Sequence, residues 1–517
     1  MNRFVGKYTD KLQGVLSGFD RIILKGTLRP LCYVAGMMNF LYHRGILLKQ
    51  FKEFVLQVSK TLLEATQAEA ARVGRPNIYL RSSKTDKDLE ARRIAEKDGI
   101  EEGLICLFRV VEPCMSYEVC PNRERKAIEL HKRIRKCLWV YHYWIDREFG
   151  FMSARIQSWF PFDIYVCLNG REWCARQLDR AGVSYHREEN CFLWVEDLDR
   201  AQRLLAAQPR KSWVRALQMV ARRLNPAHGR IFRGYPLEYY WTNHQSEWAT
   251  DLMFRRAEDL AEIYPLLVRG AMNTFCSPQV MRFLGKKPHG NYRGEVISDY
   301  CKRKEGVRVK HRMGKNALKM YDKQGRLLRV ETTMNDPTPF KVFRPLEGNP
   351  QGEKEWRPLV KGIANMGRLA KVAQASNDRY LDALASLDTE VPLARLVDRV
   401  CQPVEWGGGM VRALRPWERR DEQLFDAIGL GEYAVNGFRN RDILAQLYPE
   451  AQGLEKANRK RYAARVTRKL RMLRAHGIIT KVQGTHRYVM TKKGRDIVTA
   501  IQQYREVTVS QLQRAIA

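Results

Sequence analysis

Apolar residues recur every third or fourth position from Phe51 to Val73, which is the period of a helix with one buried stripe. Upstream, Arg21-Ile22-Ile23-Leu24-Lys25-Gly26-Thr27-Leu28 reads as a strand, so residues 1–148 predict an α/β unit. Residues 149–210 predict a smaller strand-helix-strand-helix module. It has an aromatic-rich strand from Ala154 to Leu168, a turn at Asn169-Gly170, a helix from Arg171 to Ala181, a strand from Cys191 to Val195 and a helix capped by Asp197. Residues 211–389 begin helical and turn β-like between Gly294 and Phe343, with Asn335-Asp336-Pro337 as a turn, and a helix follows from Val360 to Leu387. The proline- and glycine-containing stretch 390–417 predicts a linker, and 418–517 a last domain. The fold class expected is multidomain α+β, with a basic α/β body and a carboxyl-terminal winged-helix domain.

Charge narrows the function. The 517 residues hold 91 Lys and Arg against 57 Asp and Glu, a formal +34, which self-repels unless a polyanion offsets it. Nucleic acid is the expected polyanion, because no stretch joins a strong apolar face to flanking basic residues as a membrane-surface anchor would. The first residues lack the apolar core of a secretion signal and no run of about eighteen apolar residues occurs. A cytoplasmic protein without a membrane partner is therefore expected. Eleven scattered cysteines argue for reduced, mostly buried thiols; Cys114, Cys120, His131 and Cys137 stay open as zinc ligands, although the first two are spaced more widely than common structural sites use and core cysteines are the favoured reading.

The densest charge lies at the end. Lys456 to Asp496 carries fourteen Lys or Arg and one acid, over a pattern of short helix, long basic helix, hairpin and final helix. Arg461, Arg465, Arg468, Lys469 and Arg471 on the long helix can divide between phosphates and base edges, while Lys481, His486 and Arg487 put charge on the hairpin. Val466, Leu470 and Leu473 are the expected core side. The run Leu470-Arg471-Met472-Leu473-Arg474-Ala475-His476-Gly477-Ile478-Ile479, with Tyr488-Val489-Met490-Thr491-Lys492-Lys493-Gly494, resembles bacterial winged-helix DNA-binding domains. In those, such runs close the recognition helix and the wing. Protein docking is the competing use of the same module.

Chemistry, if any, is expected between Gln245 and Glu331. Glu247 and Asp251, four apart on a helix, would share a face and could hold Mg2+, although acidic pairs of this kind are also common on surfaces. Lys302 to Arg329 carries eleven basic and two acidic residues, so Lys310, Arg312, Lys319 and Lys323 are candidates for binding a second strand or a structured RNA. Lys319, Tyr321 and Lys323 alternate on a strand, setting a phenol between two ammonium groups. This Lys-x-Tyr-x-Lys run followed by Leu328-Arg329-Val330-Glu331 resembles a segment of phage and plasmid replication initiators that nick DNA through a tyrosine. The resemblance implies Tyr321 as nucleophile, and a nickase would use it with Glu247, Asp251 or Glu331 holding a divalent metal and His311 as a further catalytic candidate; the paired histidines of that family's metal site are missing, His311 standing alone. A simple hairpin at Asp322-Lys323-Gln324-Gly325 is equally natural, and a structural, strand-packed tyrosine is the favoured reading. The whole chain also resembles a family of bacterial proteins that carries no activity over to it.

The reading expected is a nucleic-acid-binding protein of bacterial mobile-element character, holding duplex DNA through the winged helix and a second nucleic-acid strand through its basic body. Its alternatives are a ribonucleoprotein component, a metal-dependent nickase or recombinase, and a transcription factor.

Overall fold

The computed structural model describes residues 1–275, 277–286, 295–303, 306–346, 349, 351–385, 393–430, 433 and 437–506. It is a mixed α and β structure, as expected, and it divides into two compact units, each assembled from separated stretches of chain. Residues 386–392, which include the start of the expected linker, lie outside the described set.

The larger unit takes Gly14–Asp251 and Thr333–Gln374. Its strands are β1 (Leu12–Thr27), β2 (Asn77–Tyr79), β3 (Gly103–Asn122), β4 (Ala127–Asp146), β5 (Gly150–Gln157), β6 (Ile164–Asn169), β7 (Tyr185–Glu188), β8 (Cys191–Val195) and β9 (Tyr240–Phe254). In the sheet the neighbours run β9-β1-β6-β5-β4-β3-β2, with β2 parallel to β3 and the ladders from β3 to β6 and β1 antiparallel. Helices α1 (Val34–His43), α2 (Phe51–Arg72), α3 (Lys87–Lys97), α4 (Gly170–Ala181) and α5 (Leu198–Ala207) accompany it. The α2 span matches the apolar period to within a residue. Asn169 caps α4 by accepting from the amides of Arg171 and Glu172, and Asp197 caps α5 by accepting from Arg200, because such short acceptors satisfy first-turn donors. The expected continuous strand from Ala154 to Leu168 is interrupted at residues 158–163, where the Phe160-Pro161 peptide is cis and Pro161 has no amide to give a ladder. Phe160 and Phe162 turn inward there and are fully buried.

The second unit takes Met1–Gln13, Leu252–Thr332 and Ala375–Ala517. An antiparallel run joins β10 (Val296–Arg303), β11 (Gly306–Met313) and β12 (Asn316–Lys323), with β13 (Leu327–Met334) next to β12. Gln324 and Gly325 both have positive φ, 57° and 68°, which is the turn the β12–β13 hairpin needs. Farther on come α6 (Arg419–Ile428), β14 (Phe438–Arg439), α7 (Asn440–Leu447), α8 (Lys456–Ala475), β15 (Ile479–Lys481), β16 (Arg487–Met490) and α9 (Lys492–Glu506). They share one core containing Leu424, Phe425, Ile443, Val466, Leu470, Leu473, Ile478 and Ile497.

Candidate functional site

In α8 every fourth or third residue from Val466 through Leu470 to Leu473 is buried, which turns the opposite side of the helix outward. The helix holds nine Lys or Arg and no acid. Arg461, Arg468 and Arg471 are exposed on it, and three- and seven-residue steps place them along one stripe. Arg465 is half-buried, its guanidinium 5.2 Å from the Tyr462 ring. Lys469 is turned aside: its Nζ donates to the Arg420 carbonyl at 3.3 Å, and burial pulls its pKa below the usual lysine range. Arg471 and Arg474 lie 5.5 and 5.1 Å from the Trp406 ring, a support the sequence does not announce.

Behind the helix, Gly477 ends it at φ 70°, and β15 and β16 return as a hairpin with Gly484 at φ 72°. Phe438 of β14 pairs with Tyr488, giving a three-stranded sheet. Lys481 and His486 are exposed and Arg487 half-buried opposite Arg439. The Thr-x-x-Gly run is a lock: Thr491 Oγ1 donates to the Gly477 carbonyl at 2.6 Å and accepts from the Gly494 amide at 2.9 Å. A Cβ on Gly494 would meet the Ile478 carbonyl oxygen at 2.0 Å, so only glycine lets the last helix start there.

The basic cluster of β11 and β12 is arranged differently. Glu331 of β13 is 2% exposed and accepts from Lys319 Nζ at 2.6 Å and from the Tyr321 hydroxyl at 2.9 Å. Burial works against its charge, but Lys319 and Arg329 prevail and hold the carboxyl below the usual glutamate range. Tyr321 and Glu331 are thus brought together, with the phenol committed as a donor to the carboxylate. His311 is fully buried, its Nδ1 2.7 Å from Ser298 Oγ and its Nε2 3.2 Å from the Tyr380 hydroxyl. Burial pushes that imidazole down to about 4. Lys323 is buried, Lys310 half-buried opposite Lys319, and Arg312 exposed.

The expected helix bearing Glu247 and Asp251 is instead strand β9. Its Tyr240, Trp241, Thr242, Trp248 and Thr250 are aromatic or β-branched, and such side chains pack best on a pleated surface. On a strand the two carboxylates stand about 13 Å apart, too far for one ion. Asp251 is buried in an ion pair with Arg171 of α4, Oδ2 to Nη2 2.7 Å, the arginine having no exposed surface. Glu247 has another neighbour, which the sequence reading missed: Asp20 on β1. A carboxylate oxygen of each lies within 4.8 Å of the other. Both line a cavity of about 280 Å3 together with Arg21, Asp88, Arg92 and Asn190. Asn190 Nδ2 donates to both Asp20 oxygens, at 2.8 and 3.0 Å, and the Tyr143 hydroxyl donates to Asp88 at 2.6 Å. Partial desolvation opposes the Arg21 charge, yet Cys167, Glu247 and Asp88 hold its pKa above the usual arginine value. Two carboxylates with oxygens this close are the donor set for a hard divalent cation, and two guanidinium groups beside them suit phosphate oxygens. Asp20 sits inside an apolar strand, where nothing in linear sequence pairs it with a residue more than two hundred positions away.

Cys114, Cys120, His131 and Cys137 are strung along the β3–β4 hairpin, Cys114 opposite Arg135 and Cys120 opposite Glu129. Among the described residues no three of them bring ligand atoms together. The aromatics of this region are core: Trp139, Tyr143 and Trp144 are buried, and Arg155 lies 4.6 Å from the Trp139 ring while bonding Glu112 at 2.9 Å.

Among the described helices none is long and apolar enough to cross a membrane. No family model matches the sequence, and neither a curated protein nor a solved structure is similar to it.

Proposed function

We propose that this protein binds nucleic acid and reads duplex DNA with α8 and the β15–β16 hairpin, used as a winged helix, in the service of a bacterial mobile element. The observation that carries the reading is α8 itself: nine cations, no acid, and Arg461, Arg468 and Arg471 exposed opposite a buried apolar stripe. A helix of this kind fits the major groove, where cations neutralise phosphates and release counterions. The lock at Thr491 and Gly494 supports it by fixing the hairpin against the end of α8. The test is anisotropy of a labelled duplex against a salt series, using the full chain. Binding that weakens steeply with salt, and is lost in a form ending at residue 436, supports the reading; salt-independent or absent binding ends it. Release of a discrete RNA from the natively purified protein would instead favour the ribonucleoprotein reading.

A second reading, metal-assisted cleavage of a strand, is favoured by the Asp20–Glu247 pair on its arginine-bearing cavity. Mg2+ keeps most of its waters and binds through one or two carboxylates plus substrate phosphate, and a bound ion supplies a nucleophilic hydroxide and charge for the leaving oxygen. Asp20 and Glu247 would hold the ion, while Arg21 and Arg92 would orient the phosphodiester. Supercoiled plasmid should be nicked in Mg2+ or Mn2+ by the native chain and by Tyr321→Phe, but not by Asp20→Asn. Equal nicking by Asp20→Asn would remove this reading without touching the first.

A further inference from the structure

The larger unit exposes an unusual surface around α1. From Arg21 to Lys52 the sequence has six Lys or Arg and no Asp or Glu. Helix α1 is anchored through Met37, Phe40 and Leu41, and Phe40 alone meets the rings of Phe54, Phe160 and Phe232 at 5.6 to 6.3 Å. Its other side carries Val34, Met38 and Tyr42, at steps of four, all exposed. Tyr42 is 83% exposed, and Tyr33, just before the helix, is 70% exposed. Two large rings left in water on a firmly held scaffold run against the ordinary gain from burying them, and such surface marks a contact site.

The cations there are held in place by the fold. Lys132 Nζ donates to the carbonyl of Cys32, next to Tyr33, at 2.6 Å. Arg44, two residues after Tyr42, donates to the carbonyl of Arg233 at 3.0 Å, and Arg29 lies 3.5 Å from the Tyr240 ring. Arg44 and Arg29 are thus ordered by neutral partners, a carbonyl and a ring, while Lys132 also feels the Asp163 carboxylate. Lys49 is exposed a turn beyond.

We infer that the α1 surface binds an unpaired nucleic-acid strand, bases stacking on Tyr33 and Tyr42 and phosphates meeting Arg44, Lys49 and Lys132. The chemistry fits because every base offers a π-face to a tyrosine ring while its backbone repeats one negative charge per nucleotide. Tyr33 precedes the helix and Tyr42 lies near its end, nine positions on, about 13 Å of helical rise, room for more than one stacked base. Duplex DNA fits less well, since its bases are stacked on each other and offer no free face. This inference rests on the nucleic-acid reading above but assigns a different surface and a different form of the polymer.

The experiment measures binding of the full chain to labelled oligo-dT, oligo-U and a duplex of equal length, and to phosphatidylserine vesicles. Tyr42→Ala should weaken binding to one or both single strands on the order of ten-fold and leave the duplex unchanged. Tyr42→Phe, which keeps the ring, should bind as the native chain does. Arg44→Glu with Lys49→Glu should lower the salt dependence for the single strand only. Which of the two oligonucleotides responds more identifies DNA or RNA as the ligand. Unchanged single-strand binding in Tyr42→Ala overturns the inference, as does a loss shared equally with the duplex. Loss of vesicle binding in its place would make this a membrane-facing surface. Duplex and single-strand binding that both survive all these variants leave the α8 reading standing alone, whereas a native chain that binds no nucleic acid ends both.

Discussion

Two stretches of this chain look alike when charges are counted and unlike when they are folded. Lys456–Asp496 and Lys302–Arg329 hold fourteen and eleven basic residues. In α8, one stripe of Val466, Leu470 and Leu473 goes inside, and the remaining faces stay in water with Arg461, Arg468 and Arg471 on them. In β12 and β13, Lys319 and Tyr321 are drawn onto the buried Glu331, and Lys323 is buried too. A helix with a narrow apolar stripe must show most of its surface, whereas a strand in a covered sheet can lose both faces. A similar wealth of charge therefore means availability along α8, and at Lys319 and Lys323 withdrawal into the fold.

The sharpest way to break this comparison is to remove one partner of the buried pair. Glu331→Ala should cost about 3–5 kcal/mol in urea unfolding, since Lys319 then loses its carboxylate partner at a largely buried site. A loss under 1 kcal/mol would mean the sheet's cations are as free as the helix's. Next is pH. His311 is held at about 4 in the fold against about 6.5 in an unfolded chain, so the unfolded state takes up a proton first as pH falls. Stability should be complete above pH 6.5 and decline toward pH 4, by on the order of 3 kcal/mol from this group; His142, also held at about 4 by burial, acts in the same direction. A flat unfolding midpoint over that range would contradict the burial of both imidazoles. Third, reversing Arg461, Arg468 and Arg471 to Glu together should weaken duplex binding on the order of a hundred-fold, about 2.7 kcal/mol, and reduce the salt slope. Fourth, Tyr321→Phe should cost about 1.5 kcal/mol of stability, for one hydrogen bond to a charged group, with duplex affinity unchanged. Smallest of all, Arg461→Ala should shift the unfolding free energy by less than about 0.5 kcal/mol, because an exposed helix arginine supports little of the fold.

Local regularities were the part of this molecule legible in its sequence. The α2 period, the Asp197 cap and the Gly477 stop each depend on residues within a few positions of one another, and the structure has them where the pattern puts them. The core side of α8 was readable for the same reason. The Glu247–Asp251 segment was misread because its carboxylates at i and i+4 suit a helix equally, and only the aromatic and β-branched residues between them favour the strand. Asp20 and its relation to Glu247 depend on strands far apart in the chain becoming neighbours, information that periodicity does not carry. Trp406 beneath Arg471 and Arg474, and Tyr33 beside Lys132, are of the same kind.

The discontinuous composition of the two units bears on how the chain emerges from the ribosome. The larger unit begins at Gly14 but needs Thr333–Gln374, and the smaller needs Met1–Gln13 together with residues beyond Ala375. At about 5–20 residues per second, the first fourteen or so residues wait roughly half a minute or more for the segments that complete their unit. Until β6 and β9 emerge, β1 has unsatisfied edges, and a nascent chain of this design depends on synthesis outrunning aggregation or on a chaperone holding it.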